Sequence, residues 1–551
     1  MPTTDTSEKG LETLIMRHMT GVDGLVFASD GAFAETPDSL AAQKAAGSGW
    51  LAGNPKDFDR AYALDVPQLF QFLQATQPEA FKKIGMADYK EAKDIARLKF
   101  LSRLSNEIGK RGVIDVLRKG IEHGPLHFDL FFGTPSPGNA KAAALFAKNR
   151  FSITRQLRYS LDEQRRALDL CLFINGLPIA TFELKNSLTK QTVEDAVEQY
   201  RRDRDPREKL FEFGRCVVHF AVDDAEVKMC TELRGKGSWF LPFNKGWNDG
   251  AGNPPNPHGL KTDYLWKEVL TPGGLTNILE CYAQIVEEKN PRTGKKKRKQ
   301  VFPRYHQLDV VRKLLADVAA KGSGHRYLIQ HSAGSGKSNS IAWLAHQLVG
   351  VKRDEKEVFD SVIVVTDRRI LDDQIQRTVK QFMQVGATVG HAEHSGDLRK
   401  FIESGKKIII STVQKFPFIL DEIAKEEKSR KFAIIIDEAH SSQGGKASAA
   451  MSTALADPED TVNDALDKRA AARKMLTNAS YFAFTATPKP KTLQMFGKAL
   501  PPDAEGKVKH DPFHSYTMKQ AIQERFILDV LKSYTPVDSY YKLVKKIEGD
   551  P

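Results

Sequence analysis

The sequence predicts an α/β protein in which a β-rich region carrying paired acids is followed by a parallel-sheet domain with a phosphate-binding loop. Three observations lead there. Beyond Val301, apolar β-type runs alternate with helical stretches; Asp169, Glu183 and Lys185 fall in a D-x13-ExK spacing; and HSAGSGKS (residues 331–338) is followed by DEAH (residues 437–440). Continuous apolar strands separated by helices are covered on both faces, which is the pattern of a parallel sheet. A chain of 551 residues is too long for one core, so about three globular units are expected.

Taken in order, residues 1–145 mix helical periodicity with polar loops. Residues 151–243 change to β-rich runs such as ALDLCLFI and CVVHFAV. The Gly-, Pro- and Asn-rich stretch from Pro242 marks loops, and NPRTGKKKRKQ (residues 290–300) is a basic run with no apolar face, read as a solvated linker or a DNA-touching segment. The domains expected are therefore residues 1–250, a linker over 251–300, a phosphate-loop domain over 301–510, and the start of a further domain over 511–551.

Composition narrows the partners. The 82 Lys and Arg exceed the 70 Asp and Glu by 12 charges, which suits a polyanion. Cys171, Cys216, Cys230 and Cys281 lack zinc-site spacing and read as buried thiols in a reducing compartment. No run approaches the ~20 apolar residues that span a bilayer, so a cytoplasmic protein without a membrane partner is expected.

In the β-rich region, RRALDLCLFINGLPIATFELKN is a hairpin around Asn175-Gly176. Cleaving a phosphodiester needs carboxylates to hold a divalent metal and a cation near the reacting centre, and Asp169, Glu183 and Lys185 are of those types. Register decides whether they meet. A strict two-residue turn pairs Asp169 with Phe182 and turns Glu183 to the other face, whereas a three-residue loop with a bulge at Gly176 pairs residues whose numbers sum to 352 and sets Asp169 opposite Glu183. The bulged register is the expectation.

In the second region, Gly334 and Gly336 let backbone N–H groups, including that of Ser335, curl around phosphates. Lys337 reaches the terminal phosphates and Ser338 can hold Mg²⁺. The usual first glycine of such a loop is His331 here. Asp437, at the end of the strand FAIIID, would hold Mg²⁺ through water, and Glu438 would orient an attacking water. TATP (residues 485–488) completes the series.

With these motifs the second region resembles superfamily 2 helicases and translocases, which implies a RecA-like domain using ATP and Mg²⁺. FPRYHQ (residues 302–307) is similar to that group's adenine-reading segment, which implies that Gln307 contacts the base. VVTDRR and STVQKF are similar to its backbone-gripping segments, which makes Arg368, Thr412 and Gln414 candidates for DNA contact.

The order of a PD-(D/E)xK-like nuclease, a basic linker and a superfamily 2 motor resembles the restriction subunit of type I restriction-modification enzymes. ELKNSLTKQTVEDAVEQYRRDR (residues 183–204), VVHFAVDD (residues 217–224) and FPRYHQLDVVRKL (residues 302–314) carry the resemblance. It implies ATP-dependent translocation and cleavage of unmodified double-stranded DNA in a bacterial or archaeal cytoplasm, with modification and specificity subunits as partners. It implies Asp169, Glu183 and Lys185 as cleavage residues, and Gln199 as the glutamine of a following QxxxY element that is matched imperfectly. A helicase-nuclease of repair or defence outside restriction, and a silent DNA- or partner-binding fragment, are the competing readings. Such motors bind ATP between two lobes, and FILDVLKSYTPV reads as the opening of a second lobe, so a fragment or a truncated chain with impaired ATPase is expected.

Overall fold

The computed structural model describes residues 8–22, 37–86, 95–162, 166–289, 294, 296–366, 389–391, 400–402, 404–412, 430–438 and 478–529. Two units divide the chain: residues 1–245 with 252–305, and residues 246–251 with 306–551.

In the first unit, helix α1 (Glu8–Thr20) precedes a seven-stranded mixed sheet. Its spatial order follows the chain: β1 (Leu51–Gly53), β2 (Phe151–Arg158), β3 (Ala167–Ile174), β4 (Leu177–Leu184), β5 (Val218–Val222), β6 (Val227–Cys230) and β7 (Leu241–Pro242). β2, β3 and β4 are antiparallel, while β5 joins β4 in parallel. A parallel neighbour requires a crossover, and helix α2 (Val193–Asp203) supplies it. α2 starts in a capping box between Thr192 and Asp195 and buries the stripe Val193, Ala196, Val197 and Tyr200.

The hairpin reaches the expected register by a different device. Its turn is a strict two-residue one, Asn175-Gly176 with φ of 51° and 80°, and it pairs Ile174 with Leu177. Two residues into β4 the register shifts at a bulge, after which Leu172 faces Ala180, Cys171 faces Thr181 and Leu170 faces Phe182. One step further along the same register sets Asp169 opposite Glu183. The bulge therefore lies inside the strand and not in the turn. Gly176 also meets its surroundings tightly, since a Cβ there would sit 2.2 Å from the Asp65 carbonyl oxygen. Gly176→Ala is expected to lower stability by about 2 kcal/mol or more, from positive φ and backbone overlap together, as measured by urea unfolding.

The stretch 251–300 is not a linker. It holds a helix over Pro272–Cys281 and a hairpin of β8 (Gln284–Lys289) with β9 (Lys296–Val301), all within the first unit. Lys296, Lys297 and Lys299 of β9 are exposed and Arg298 lies over the Phe213 ring, whereas Gln300 is buried and donates to the carbonyls of Cys216 and Val217, both at 2.8 Å.

The second unit opens with helix α3 (Tyr305–Lys321), then β10 (Arg326–His331) and α4 (Lys337–Leu348). Its other sheet strands are β11 (Ser361–Thr366), β12 (Val389–His391), β13 (Ile408–Thr412), β14 (Phe432–Ile436), β15 (Ala479–Thr485) and β16 (His514–Tyr516). The spatial order is β12-β13-β11-β14-β15-β10-β16, and every pairing is parallel. Leu328, Ile363, Ile409, Ile434 and Ala483 meet in one buried cluster, the signature of strands covered on both sides. β16 corrects the expected boundary at 511: it completes this sheet by pairing with the otherwise open edge of β10, so residues up to Tyr516 belong to the phosphate-loop domain.

Cys171, Cys216 and Cys230 are buried, Cys281 is half-buried, and all four are free thiols. Among the described residues, no helix is long and apolar enough to cross a membrane.

Candidate functional site

β3 and β4 bring Asp169 beside Glu183, whose carboxyl feels its charge, and the next residue of β4 holds it there: the Leu184 N–H donates to Asp169 Oδ2 at 2.7 Å. Glu183 is wholly buried. Its Oε1 accepts from Arg204 Nε at 2.6 Å, whereas its Oε2 is buried without a hydrogen-bond partner. Burial and the neighbouring Asp169 push the Glu183 carboxyl up to about 8, with Arg204 and Lys185 pulling the other way. Lys185 follows two residues later on the same face, and its N–H extends the ladder to Val222 O at 2.8 Å.

Helix α2 closes this face. Thr181, two residues before Glu183, has its hydroxyl 2.8 Å from Tyr200 OH and 2.7 Å from His219 Nδ1. Burial lowers His219 to about 3, so that imidazole is neutral and serves as a hydrogen-bonding wall. Arg204, just past the end of α2, also donates to Tyr159 OH and to the Ala167 carbonyl. Gln199 is half-buried and lies outside the helix stripe packed on the sheet, which Tyr200 occupies instead.

Sequence reasoning missed Arg204, Glu12, Arg155 and Gln156. Glu12 on α1 is buried, pairs with Arg155, accepts from Gln156, and is pushed up to about 7 by burial and by Asp169. Gln156 also donates to Asp169 at 3.4 Å, from a left-handed backbone with φ 51° in the middle of β2. An isolated left-handed residue inside a strand is strained by about 1 kcal/mol or more, and such strain clusters at working sites. A glutamic acid on an amphipathic N-terminal helix, 157 positions from its neighbour Asp169, has no local signal that could have flagged it.

A divalent ion fits this donor set. The buried Oε2 of Glu183, with its orphaned lone pairs, lies beside the carboxylate of Asp169, and an unpaired buried oxygen is costly unless a cation meets it. Among the described residues no group of three or more His, Cys, Asp or Glu side chains is arranged to hold a metal. Glu12 does not extend the pair, because Arg155 and Gln156 take up its carboxylate.

The second site lies at the carboxyl ends of the parallel strands, where such sheets bind ligands. Gly334 and Gly336 adopt φ of 74° and 79°, curling the loop between β10 and α4. A Cβ on Gly336 would sit 2.4 Å from Gln307 Nε2. Gln307 is buried and donates to the carbonyls of Ser335 and Gly336 at 3.3 and 3.0 Å, so in this state it braces the loop. Lys337 Nζ lies 3.0 Å from Glu438 and 3.3 Å from the His331 carbonyl. Asp437 is buried directly after β14, Glu438 stands in a left-handed backbone with φ 50°, and Ser338 is half-buried in the first turn of α4. Thr412 ends β13 and Thr485 ends β15. Arg368, Gln414 and His440 lie outside the described residues.

His331 replaces a glycine for a packing reason. Its buried ring meets His306, Tyr516 and Phe484, and its Nε2 is 2.9 Å from His514 Nδ1, whose Nε2 is 3.0 Å from Asp309. The neighbouring His306 stacks on Tyr516 at 3.8 Å and meets the Ser335 carbonyl at 3.0 Å. The aromatic wall thus holds the loop from beneath.

Comparison with known proteins agrees with both halves. Residues 135–238 match the family described as the type I restriction enzyme R protein N terminus, and residues 306–540 match the SWI2/SNF2 ATPase family. The putative type I restriction enzyme MjaIXP endonuclease subunit of Methanocaldococcus jannaschii is 26% identical over 381 residues, covering 62% of this chain and 31% of that protein. The HindI endonuclease subunit of Haemophilus influenzae is 26% identical over 360 residues, covering 62% and 32%. A Staphylococcus aureus endonuclease subunit, SauMSSORF170P, is 24% identical over 402 residues, covering 71% and 37%. The chain spans about a third of the length of these relatives. Among solved structures, the UvsW helicase of bacteriophage T4 is 14% identical over 34% of this chain and 54% of its own, with a TM-score of 0.22.

Proposed function

We propose that this chain, which is similar to type I restriction enzyme endonuclease subunits and joins an R-protein N terminus to a SWI2/SNF2 ATPase, is the part of a restriction subunit that cuts unmodified double-stranded DNA while ATP drives translocation. The observation that carries the reading is the buried, half-satisfied Glu183 carboxylate set opposite Asp169 with Lys185 on the same face. Asp169 and Glu183 would hold Mg²⁺, which when bound supplies an activated water and a charge at the phosphate. Lys185 places a fixed cation where negative charge develops during cleavage. Arg204 holds one oxygen of Glu183 and leaves the other facing Asp169.

In the second unit the phosphate loop and Lys337 would take the triphosphate, with Ser338 and Asp437 toward Mg²⁺ and Glu438 toward the attacking water. Lys337 and Glu438 hold each other at 3.0 Å, so a phosphate that engages Lys337 releases Glu438 toward water. Gln307 would exchange its loop carbonyls for adenine. Arg368, Thr412 and Gln414 remain proposed contacts to DNA, and Gln199 a proposed neighbour of the cleavage site. Modification and specificity subunits are the proposed partners, in the cytoplasm of a bacterium or archaeon.

The test is cleavage of unmodified plasmid in Mg²⁺ and ATP by the complex assembled with those subunits. Lys185→Ala is expected to cut at least about 100-fold more slowly with its ATPase intact, and Lys337→Ala to lose ATP binding and cleavage together. Wild-type cutting by Lys185→Ala would overturn the reading.

A further inference from the structure

In the first unit, one aromatic ring stands where hydrophobicity alone would not place it. Trp239 is 73% exposed, while Trp50 and Trp266 of the same unit are buried. It belongs to the loop between β6 and β7, and that loop is firmly held on either side of it. Leu233 and Ser238 are buried. The Arg234 N–H donates to Ser238 Oγ at 2.8 Å, and Ser238 Oγ donates to the Gly235 carbonyl at 2.7 Å. Phe240 packs against Tyr200 with ring centroids 5.4 Å apart. Both neighbours of Trp239 are thus turned inward, and the fixed backbone presents the indole to solvent.

The surroundings of that ring are basic. Arg234 and Lys236 lie exposed on the same loop, and Arg201 of α2 reaches across to the Ser238 carbonyl at 3.3 and 3.2 Å. Arg202 beside it is 71% exposed. Against these four cations stand two carboxylates: Glu198, shared by Arg201 and Arg202, and Glu232, which pairs with Arg234. Trp239 is the one large exposed hydrophobic in the loop, among glycines and cations. Tryptophan with arginine also marks protein-binding hot spots, but the core of such an interface is apolar and depleted of charge, and this loop offers no second large exposed apolar side chain. A ring flanked by arginine and lysine is the arrangement that stacks a base while neutralising its phosphates.

Helix α2 ties this ring to the acids. Tyr200 touches both Phe240 and Thr181, Arg201 clamps Ser238, and Arg204 clamps Glu183. The loop that carries Trp239 and the carboxylate pair are thus both anchored on the same helix. We infer that Trp239 is a stacking platform for an unpaired nucleobase of the DNA strand engaged by the acidic site, with Arg202, Arg234 and Lys236 contacting its phosphates; this rests on the nuclease reading above.

The test uses the full chain carrying Trp247→Phe, which leaves Trp239 as the strongly exposed indole, titrated with a DNA duplex bearing a single-stranded tail. DNA is expected to quench the exposed emission. Trp239→Ala is expected to weaken binding of the tailed duplex about tenfold, and Trp239→Phe by about threefold or less, with Mn²⁺ binding unchanged in both. Unchanged fluorescence, or parental DNA affinity in Trp239→Ala, overturns the inference, including the case where that variant instead fails to assemble with a protein subunit. If DNA quenches Trp239 while Lys185→Ala still cuts, the nuclease reading falls and takes with it the link to the acidic site, leaving Trp239 as a DNA-binding residue alone. If cutting depends on Lys185 while Trp239 ignores DNA, the platform falls alone.

Discussion

Replacing Arg204 with alanine is expected to destabilise the first unit by about 3–5 kcal/mol at pH 9 and by about 1 kcal/mol less at pH 6. The guanidinium is nearly buried, and it meets a wholly buried carboxylate at 2.6 Å while also bonding Tyr159 and the Ala167 carbonyl. Removing it strands the Glu183 charge in the interior, where the only relief is protonation. The Glu183 carboxyl is already raised, to about 8, by burial and Asp169 with Arg204 opposing them. Without Arg204 it rises further. An acid whose folded value lies above its unfolded one favours the fold while protonated, and that contribution disappears as pH climbs through the folded value. The penalty therefore grows from pH 6 to pH 9. Urea unfolding of Arg204→Ala at the two pH values reads it, and Arg204→Ala with Glu183→Gln should recover most of the loss because no buried charge remains. A penalty equal at both pH values would mean that Arg204 acts through packing and not through Glu183.

The parts of this architecture that sequence reveals are those written in short-range periodicity. The all-parallel sheet follows from runs such as SVIVVT and FAIII, which are buried at every position and so lack the alternation of a half-exposed strand. The pairing of Asp169 with Glu183 follows from counting across Asn175-Gly176, but the bulge that enforces it sits in PIA of β4, where an apolar run carries no mark of an extra residue. The basic run looks like a linker because its charges outnumber its inward positions; among the described residues of the strand, Arg298 over the Phe213 ring and buried Gln300 turn toward the fold. β16 is three residues, HSY, too short for any periodic signal, and its place depends on an edge of β10 that lies 185 positions earlier in the chain (514 − 329). Arg204 and Glu12 are invisible for the same reason: their meaning comes from charges brought close by topology, and a lone arginine after a helix reads as a solvated cap.

Manganese affinity at the acidic site is expected to rise about tenfold per pH unit between pH 6 and 8 and then flatten. A cation bound by Glu183 needs the carboxylate, and with that carboxyl pushed up to about 8 each binding event below this value expels one proton. The sign is fixed by competition: lower pH favours the proton, higher pH the metal. Glu12, raised to about 7, titrates in the same range, but Arg155 and Gln156 hold its carboxylate, so Glu12→Gln should keep the slope. Glu183→Gln should abolish both the slope and most of the affinity, and Asp169→Asn should weaken binding while ending the slope at lower pH, because the Asp169 charge is one of the causes that raise Glu183. Calorimetric titration of Mn²⁺ in buffers of different ionisation enthalpy counts the released proton independently of any cleavage. An affinity that does not move with pH, or a proton count of zero at pH 7, would show that the ion sits elsewhere than between Asp169 and Glu183.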